Sequence, residues 1–162
     1  MRDDPLALIH LLDRHGVPFV VIGGHAVTVH GYPRATEDTD VVFLRSPASE
    51  EHLLSALQEV HAAWVSNEKD TDTGEARRIP VDLPFIKSRS TLWLITDMGF
   101  LDIFDHLPGL PGTPVEDLLR DALVIDGIRY ASRRMLLLMK AAAGRPKDLL
   151  DVAELGEDPE RP

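Results

Sequence analysis

The chain has 162 residues, no cysteine, and a formal net charge of −10 with histidine neutral. That length suits one domain, or one domain with a short appendage, and the missing cysteine excludes disulfides, thiolate metal sites and a cysteine nucleophile. The acidic balance argues against a general nucleic-acid coat, whereas it suits a phosphate site that borrows its positive charge from a divalent ion.

Residues 5–15 carry Leu6, Ile9 and Leu12 at helical spacing and predict an amphipathic helix stopped by Gly16. The acidic start around that helix has none of the features of a signal peptide. No run approaches the ~18 apolar residues of a membrane span, so a soluble, cytoplasmic protein is expected. Pro18 to Ile22 reads as a buried strand ended by Gly23-Gly24, and His25 to His30 as a short helix. Val41 to Leu44 is a second buried strand, and Pro47 to Ala63 a helix with Leu53, Leu54, Leu57 and Val60 on its apolar face. Residues 66–78 are polar and predict an exposed loop or hairpin tip, and Ile79 to Phe85, broken by Pro80 and Pro84, predicts an edge strand. Thr91 to Thr96 and Phe100 to Phe104 form a hairpin pattern around Asp97-Met98-Gly99. After a Gly/Pro-rich break come a helix at 115–122, an Asp126-Gly127 hairpin, a helix capped by Ser132, and a last helix from Pro146 to about Leu155. The expected fold class is α/β (α+β), a mixed sheet flanked by helices. Residues 1–114 form the core, 115–155 a small C-terminal helical segment of the same domain, and 156–162 a disordered tail.

The chemistry concentrates in residues 21–43, VIGGHAVTVHGYPRATEDTDVVF. A strand ends in two glycines, which let backbone approach a phosphate closely, and a helix follows whose first N–H groups face it. Asp38 and Asp40, two residues apart at the head of the next strand, leave the same face and can share Mg²⁺. The apolar run follows these aspartates, an order that disfavours a haloacid-dehalogenase-type phosphatase. Two-metal transfer needs a third carboxylate to bridge toward the acceptor hydroxyl. Asp102, flanked by apolar residues in Phe100–Phe104, is preferred over Asp105 at the strand exit.

Gly23-Gly24, Asp38-x-Asp40 after thirteen intervening residues, and an isolated strand aspartate together resemble the polymerase-β-type nucleotidyltransferase superfamily. Within it, Arg34-Ala35-Thr36-Glu37-Asp38-Thr39-Asp40 is similar to the minimal and abortive-infection-type toxin nucleotidyltransferases. So are Met139-Lys140-Ala141-Ala142 and Gly144-Arg145-Pro146-Lys147-Asp148 with Asp151. The resemblance implies Asp38 and Asp40 as ligands of Mg²⁺ (or Mn²⁺), and Asp102 as third ligand and base. It also implies Gly23 and Gly24 at the triphosphate, with Lys140 as a point charge on it. Arg34, Thr36 and Lys147 are further candidates for nucleotide contact, beside plainer roles as a loop cation, a turn residue and a helix cation. His25 departs from the Ser, Ala or Thr of many relatives.

The implied reaction moves a nucleoside monophosphate from an NTP to a hydroxyl acceptor. In the toxin-like form the acceptor is tRNA or a protein, with an antitoxin partner. The alternatives are a small-molecule enzyme acting on an aminoglycoside or lincosamide, and an inactive nucleotide-binding module. For RNA, the candidate cationic edge is Arg133, Arg134, Lys140, Arg145 and Lys147. The seven histidines lack metal-ligand spacing, and Trp64, Trp93 and Phe100 are expected in the core.

Overall fold

Phe19, Val20, Val21 and Ile22 are all buried and form strand β1 (Phe19–Ile22), a run apolar on both faces because both are covered. Strand β2 (Asp38–Phe43) lies antiparallel beside it. Its second half, Val41-Val42-Phe43, is buried, while Asp38 is exposed and Asp40 half-buried. The strand thus carries its acids at an open end and its apolar residues into the core. The computed structural model describes residues 4–33 and 35–156; Arg34 and the tail beyond Gly156 lie outside the described residues.

Around this pair the chain builds an eight-stranded mixed sheet in the order β4-β3-β5-β6-β2-β1-β8-β7. Strand β6 (Gly99–Phe104) runs parallel to β2 and pairs antiparallel with β5 (Thr91–Thr96). Beyond β5 lie β3 (Ala63–Lys69) and β4 (Ala76–Pro80); beyond β1 lie β8 (Ile128–Tyr130) and β7 (Leu123–Ile125). The β7–β8 turn has positive φ at Asp126 and Gly127, +51° and +79°, the backbone of the two-residue turn that Asp-Gly favours. This hairpin extends the sheet, so the C-terminal segment is not only helical.

Seven helices occur among the described residues: α1 (Ala7–Arg14), α2 (Gly23–Val29), α3 (Pro47–Glu59), α4 (Leu83–Ser88), α5 (Val115–Arg120), α6 (Arg133–Ala143) and α7 (Pro146–Leu155). Ser46 caps α3 by accepting from the Ser49 N–H at 3.0 Å, with Pro47 in the first turn. Ser132 caps α6 in the same way through Met135. Gly144 ends that helix at φ +65°, a left-handed position glycine adopts at little cost. The core joins Ile9 and Leu12 of α1, Leu53 and Leu57 of α3, and Leu136 of α6 to Val20, Val42 and Ile103 of the sheet.

The exposed loop or hairpin tip expected over 66–78 is the outer end of the antiparallel β3–β4 hairpin, whose strands take in residues 66–69 and 76–78. Two expectations are corrected. The edge strand expected over 79–85 instead divides between the end of β4 and helix α4, capped by Asp82 accepting from the Phe85 N–H at 2.9 Å, with Pro84 in the first turn. Trp93 and Phe100 are not core residues: they are 68% and 51% exposed.

Candidate active site

The sheet order sets β1, β2 and β6 side by side, and the register aligns Ile22 with Asp40 and Asp40 with Asp102. Paired residues on adjacent strands project from one face, so Asp40 and Asp102 stand together. Their carboxyl groups hydrogen-bond to each other, which requires a proton on one of them. Burial raises the Asp102 pKa to about 7, assisted by the charges of Asp40 and Asp38. Burial also raises Asp40, with Asp38 adding repulsion, while the hydrogen bond with Asp102 and the cations Lys147 and Lys140 oppose the shift.

Gly23 turns directly over this pair. Its φ is +68°, and a Cβ there would stand 2.4 Å from Asp40 Oδ2. The glycine is therefore required by the approach of backbone to carboxylate as much as by any phosphate. Gly24 is buried in the first turn of α2, and its carbonyl accepts from Thr28 Oγ1 at 3.1 Å. His25 is half-buried, and burial lowers its pKa.

The carboxylates form one wall of a cleft of about 150 Å³. Helices α6 and α7 supply the opposite wall with Lys140, Arg145, Lys147 and Asp148, and Leu136 and Met139 give it an apolar side. Lys140 is buried and bonded to Asp151 at 2.7 Å, with Asp148 at 3.6 Å. Asp148, 1% exposed, also accepts from Arg145 Nε at 2.6 Å. Burial works against its charge, but Arg145 and Lys140 hold its pKa below the ordinary carboxylate range. One buried carboxylate thus fixes two cations that face the aspartates. The i, i+4 pair Lys147 and Asp151 is split in role: Lys147 lines the cleft, while Asp151 holds Lys140.

Of the residues expected from the sequence, Asp38, Asp40, Asp102, Gly23, Lys140 and Lys147 line this one cleft; Gly24 and Thr36 are not among its lining residues. Arg34 lies outside the described residues. Asp105 accepts from Arg45 Nε at 2.9 Å in a separate network with Glu50, which leaves Asp102 as the strand acid that faces Asp40. Arg133 donates to the Leu155 and Gly156 carbonyls at 2.7 and 2.9 Å, so it ties down the end of α7 rather than forming part of a free cationic edge.

Among the described residues, no three carboxylate or imidazole groups already converge as a metal cage. The donor chemistry nevertheless fits Mg²⁺. Two carboxyl groups in contact, with Asp38 beside them, supply hard oxygen ligands, and their pKa values, raised first by burial and then by mutual repulsion, mark negative charge that a cation would stabilise. No helix of the described residues is long and apolar enough to cross a membrane.

No family model matches the chain, and no curated protein matches it. Solved structures do. A nucleotidyltransferase-like antigen of Paracoccidioides brasiliensis superposes with a TM-score of 0.53 at 19% identity, over 93% of this chain and 72% of that one. The antibiotic-resistance factor ANT(2'')-Ia superposes in solution with a TM-score of 0.51 at 16% identity, over 96% of this chain and 86% of that one. Its crystal structure with adenylyl-2''-tobramycin gives 0.50 at 16% identity, over 92% and 86%. The chain has the nucleotidyltransferase fold.

Proposed function

We propose that the protein is a metal-dependent nucleotidyltransferase that moves a nucleoside monophosphate from an NTP to a hydroxyl acceptor. The observation that carries this reading is the register that sets Asp102 beside Asp40, across a cleft from Lys140, Arg145 and Lys147. Acids that gather divalent ions and cations that meet a triphosphate thus share one small space. ANT(2'')-Ia, bound to an adenylylated product, lends the same reading support at the level of fold.

Asp38, Asp40 and Asp102 would hold Mg²⁺ or Mn²⁺, which when bound supplies Lewis-acid charge at the α-phosphate and lowers the acceptor hydroxyl's pKa. Lys140, Arg145 and Lys147 bind the β- and γ-phosphates and offset the charge of the leaving group. Asp102, on β6 beside Asp40, would accept the acceptor's proton. The acceptor oxygen then bonds to the α-phosphorus, the bridging P–O bond breaks, and pyrophosphate leaves with that electron pair. Gly23 admits Asp40 to this geometry by lacking a side chain.

The toxin-type sequence resemblance makes an RNA or protein hydroxyl the acceptor, with an antitoxin as binding partner; the ANT(2'')-Ia likeness sets an aminoglycoside hydroxyl beside it. The test is incubation with each α-labelled NTP, Mg²⁺ and separate pools of tRNA, protein and aminoglycosides. Label should move to one pool and fail to move with Asp40→Asn. Label on no pool, with no Mg²⁺-dependent NTP binding, contradicts the proposal.

A further inference from the structure

Asp102 lines a second cavity as well as the cleft. This groove, about 260 Å³, runs across β6, β5 and β3 and is walled by Trp64, Val65, Phe85, Trp93 and Phe100 with Arg89. Trp93 is the cross-strand partner of Asp102, and Phe100 lies two residues before Asp102 on the same face of β6. Both rings are more than half exposed, although Leu92 and Leu94 on either side of Trp93 are 1% and 2% exposed. Two aromatic rings held open beside Asp102 leave flat faces available to a planar group.

The groove is also charged at its outer side. The Arg89 guanidinium lies 4.6 Å from the Phe85 ring centre and 5.4 Å from that of Trp64, and those two rings stack at 5.4 Å. The position is fixed from beneath. Arg45 donates to the Ile86 and Arg89 carbonyls at 2.9 and 2.6 Å, holding the end of α4 against the sheet. Glu68 lies near the end of β3, and Asp70, Asp72 and Glu75 lie in the β3–β4 connection.

Resting on the nucleotidyltransferase reading above, we infer that this groove is the acceptor subsite, and that it takes the end of a single-stranded nucleic acid. Trp93 and Phe100 offer flat faces on which a base stacks. Arg89 lies where a phosphate backbone would trail away, and Asp102 lies where the hydroxyl must arrive. A polycationic aminosugar would meet the Arg89 guanidinium at the outer side of the groove.

Intrinsic fluorescence tests this directly, because Trp64 and Trp93 are the chain's two tryptophans and both line the groove. The full chain is titrated with hexaadenylate, hexauridylate and tobramycin, with Mg²⁺ present. Saturable quenching by both oligonucleotides is expected, weakened about tenfold by Trp93→Ala, with Trp64 still reporting, and similarly by Arg89→Ala. Absence of oligonucleotide quenching, equal binding by both variants, or quenching by tobramycin instead would overturn the inference. Thermal stabilisation by Mg²⁺ and ATP reads the NTP cleft alone. Failure of the nucleotidyltransferase reading would appear there, whereas failure of the acceptor assignment would appear in the fluorescence.

Discussion

Gly23, the first residue of α2, closes on Asp40 of β2: a Cβ on Gly23 would fall 2.4 Å from an Asp40 carboxylate oxygen. Because the obstructing atom is the end of a side chain, Gly23→Ala should push Asp40 aside rather than unfold the protein. The left-handed backbone adds a cost of about 1 kcal/mol. Transfer activity should therefore fall by about a hundredfold, with only a few degrees lost from the melting temperature. Steady-state kinetics and a thermal melt on one preparation separate the two effects.

Asp148 holds both Lys140 and Arg145 while almost fully buried. Asp148→Asn removes the charge that fixes Arg145 and that supports Lys140 alongside Asp151, at a stability cost of about 3 kcal/mol. If the cations serve the triphosphate, KM for NTP should rise about tenfold while kcat changes less. A fall in kcat at unchanged KM would place the cations elsewhere in the reaction.

The aspartates were legible because chemistry restricts where acids can sit: Asp102 amid Leu101 and Ile103 is costly unless used, and Asp38-x-Asp40 at a strand head follows from alternation. Strands β1, β2, β5 and β6 were legible for the same reason, since each carries buried residues. Strand β4 was not, because none of its five residues is buried and its hold on the sheet is backbone pairing. Helix α4 was obscured by Pro84, which marks a helix start as readily as a strand break. Residue type alone places Trp93 in the core, yet Leu92-Trp93-Leu94 alternates, and with both leucines inward the tryptophan must face out.

The shared proton of Asp40 and Asp102 makes metal-free stability depend on pH. Both folded-state pKa values are raised, so the folded protein keeps a proton that the unfolded chain has released. Stability from this pair is therefore present below the ordinary carboxylate pKa and is lost as pH rises toward about 7. Asp102→Asn should raise the metal-free melting temperature by a few degrees at pH 8 and much less at pH 5. Equal effects at both pH values would mean the two acids do not share a proton.

Mg²⁺ should reverse that loss in the wild-type protein by relieving the repulsion, raising its melting temperature at pH 8, and ATP should add to the shift. Asp40→Asn should show neither response. A calorimetric scan in EDTA, then with Mg²⁺, then with Mg²⁺ and ATP, checks all three.

The most direct measurement follows the phosphorus. ATP labelled at the α-position and ATP labelled at the γ-position are each supplied with Mg²⁺ and an RNA acceptor pool. The account predicts that the α-label becomes covalently attached to the acceptor and the γ-label leaves in pyrophosphate, with both events lost in Asp40→Asn and Asp102→Asn. Attachment of the γ-label, or α-label transfer that survives both substitutions, would contradict it.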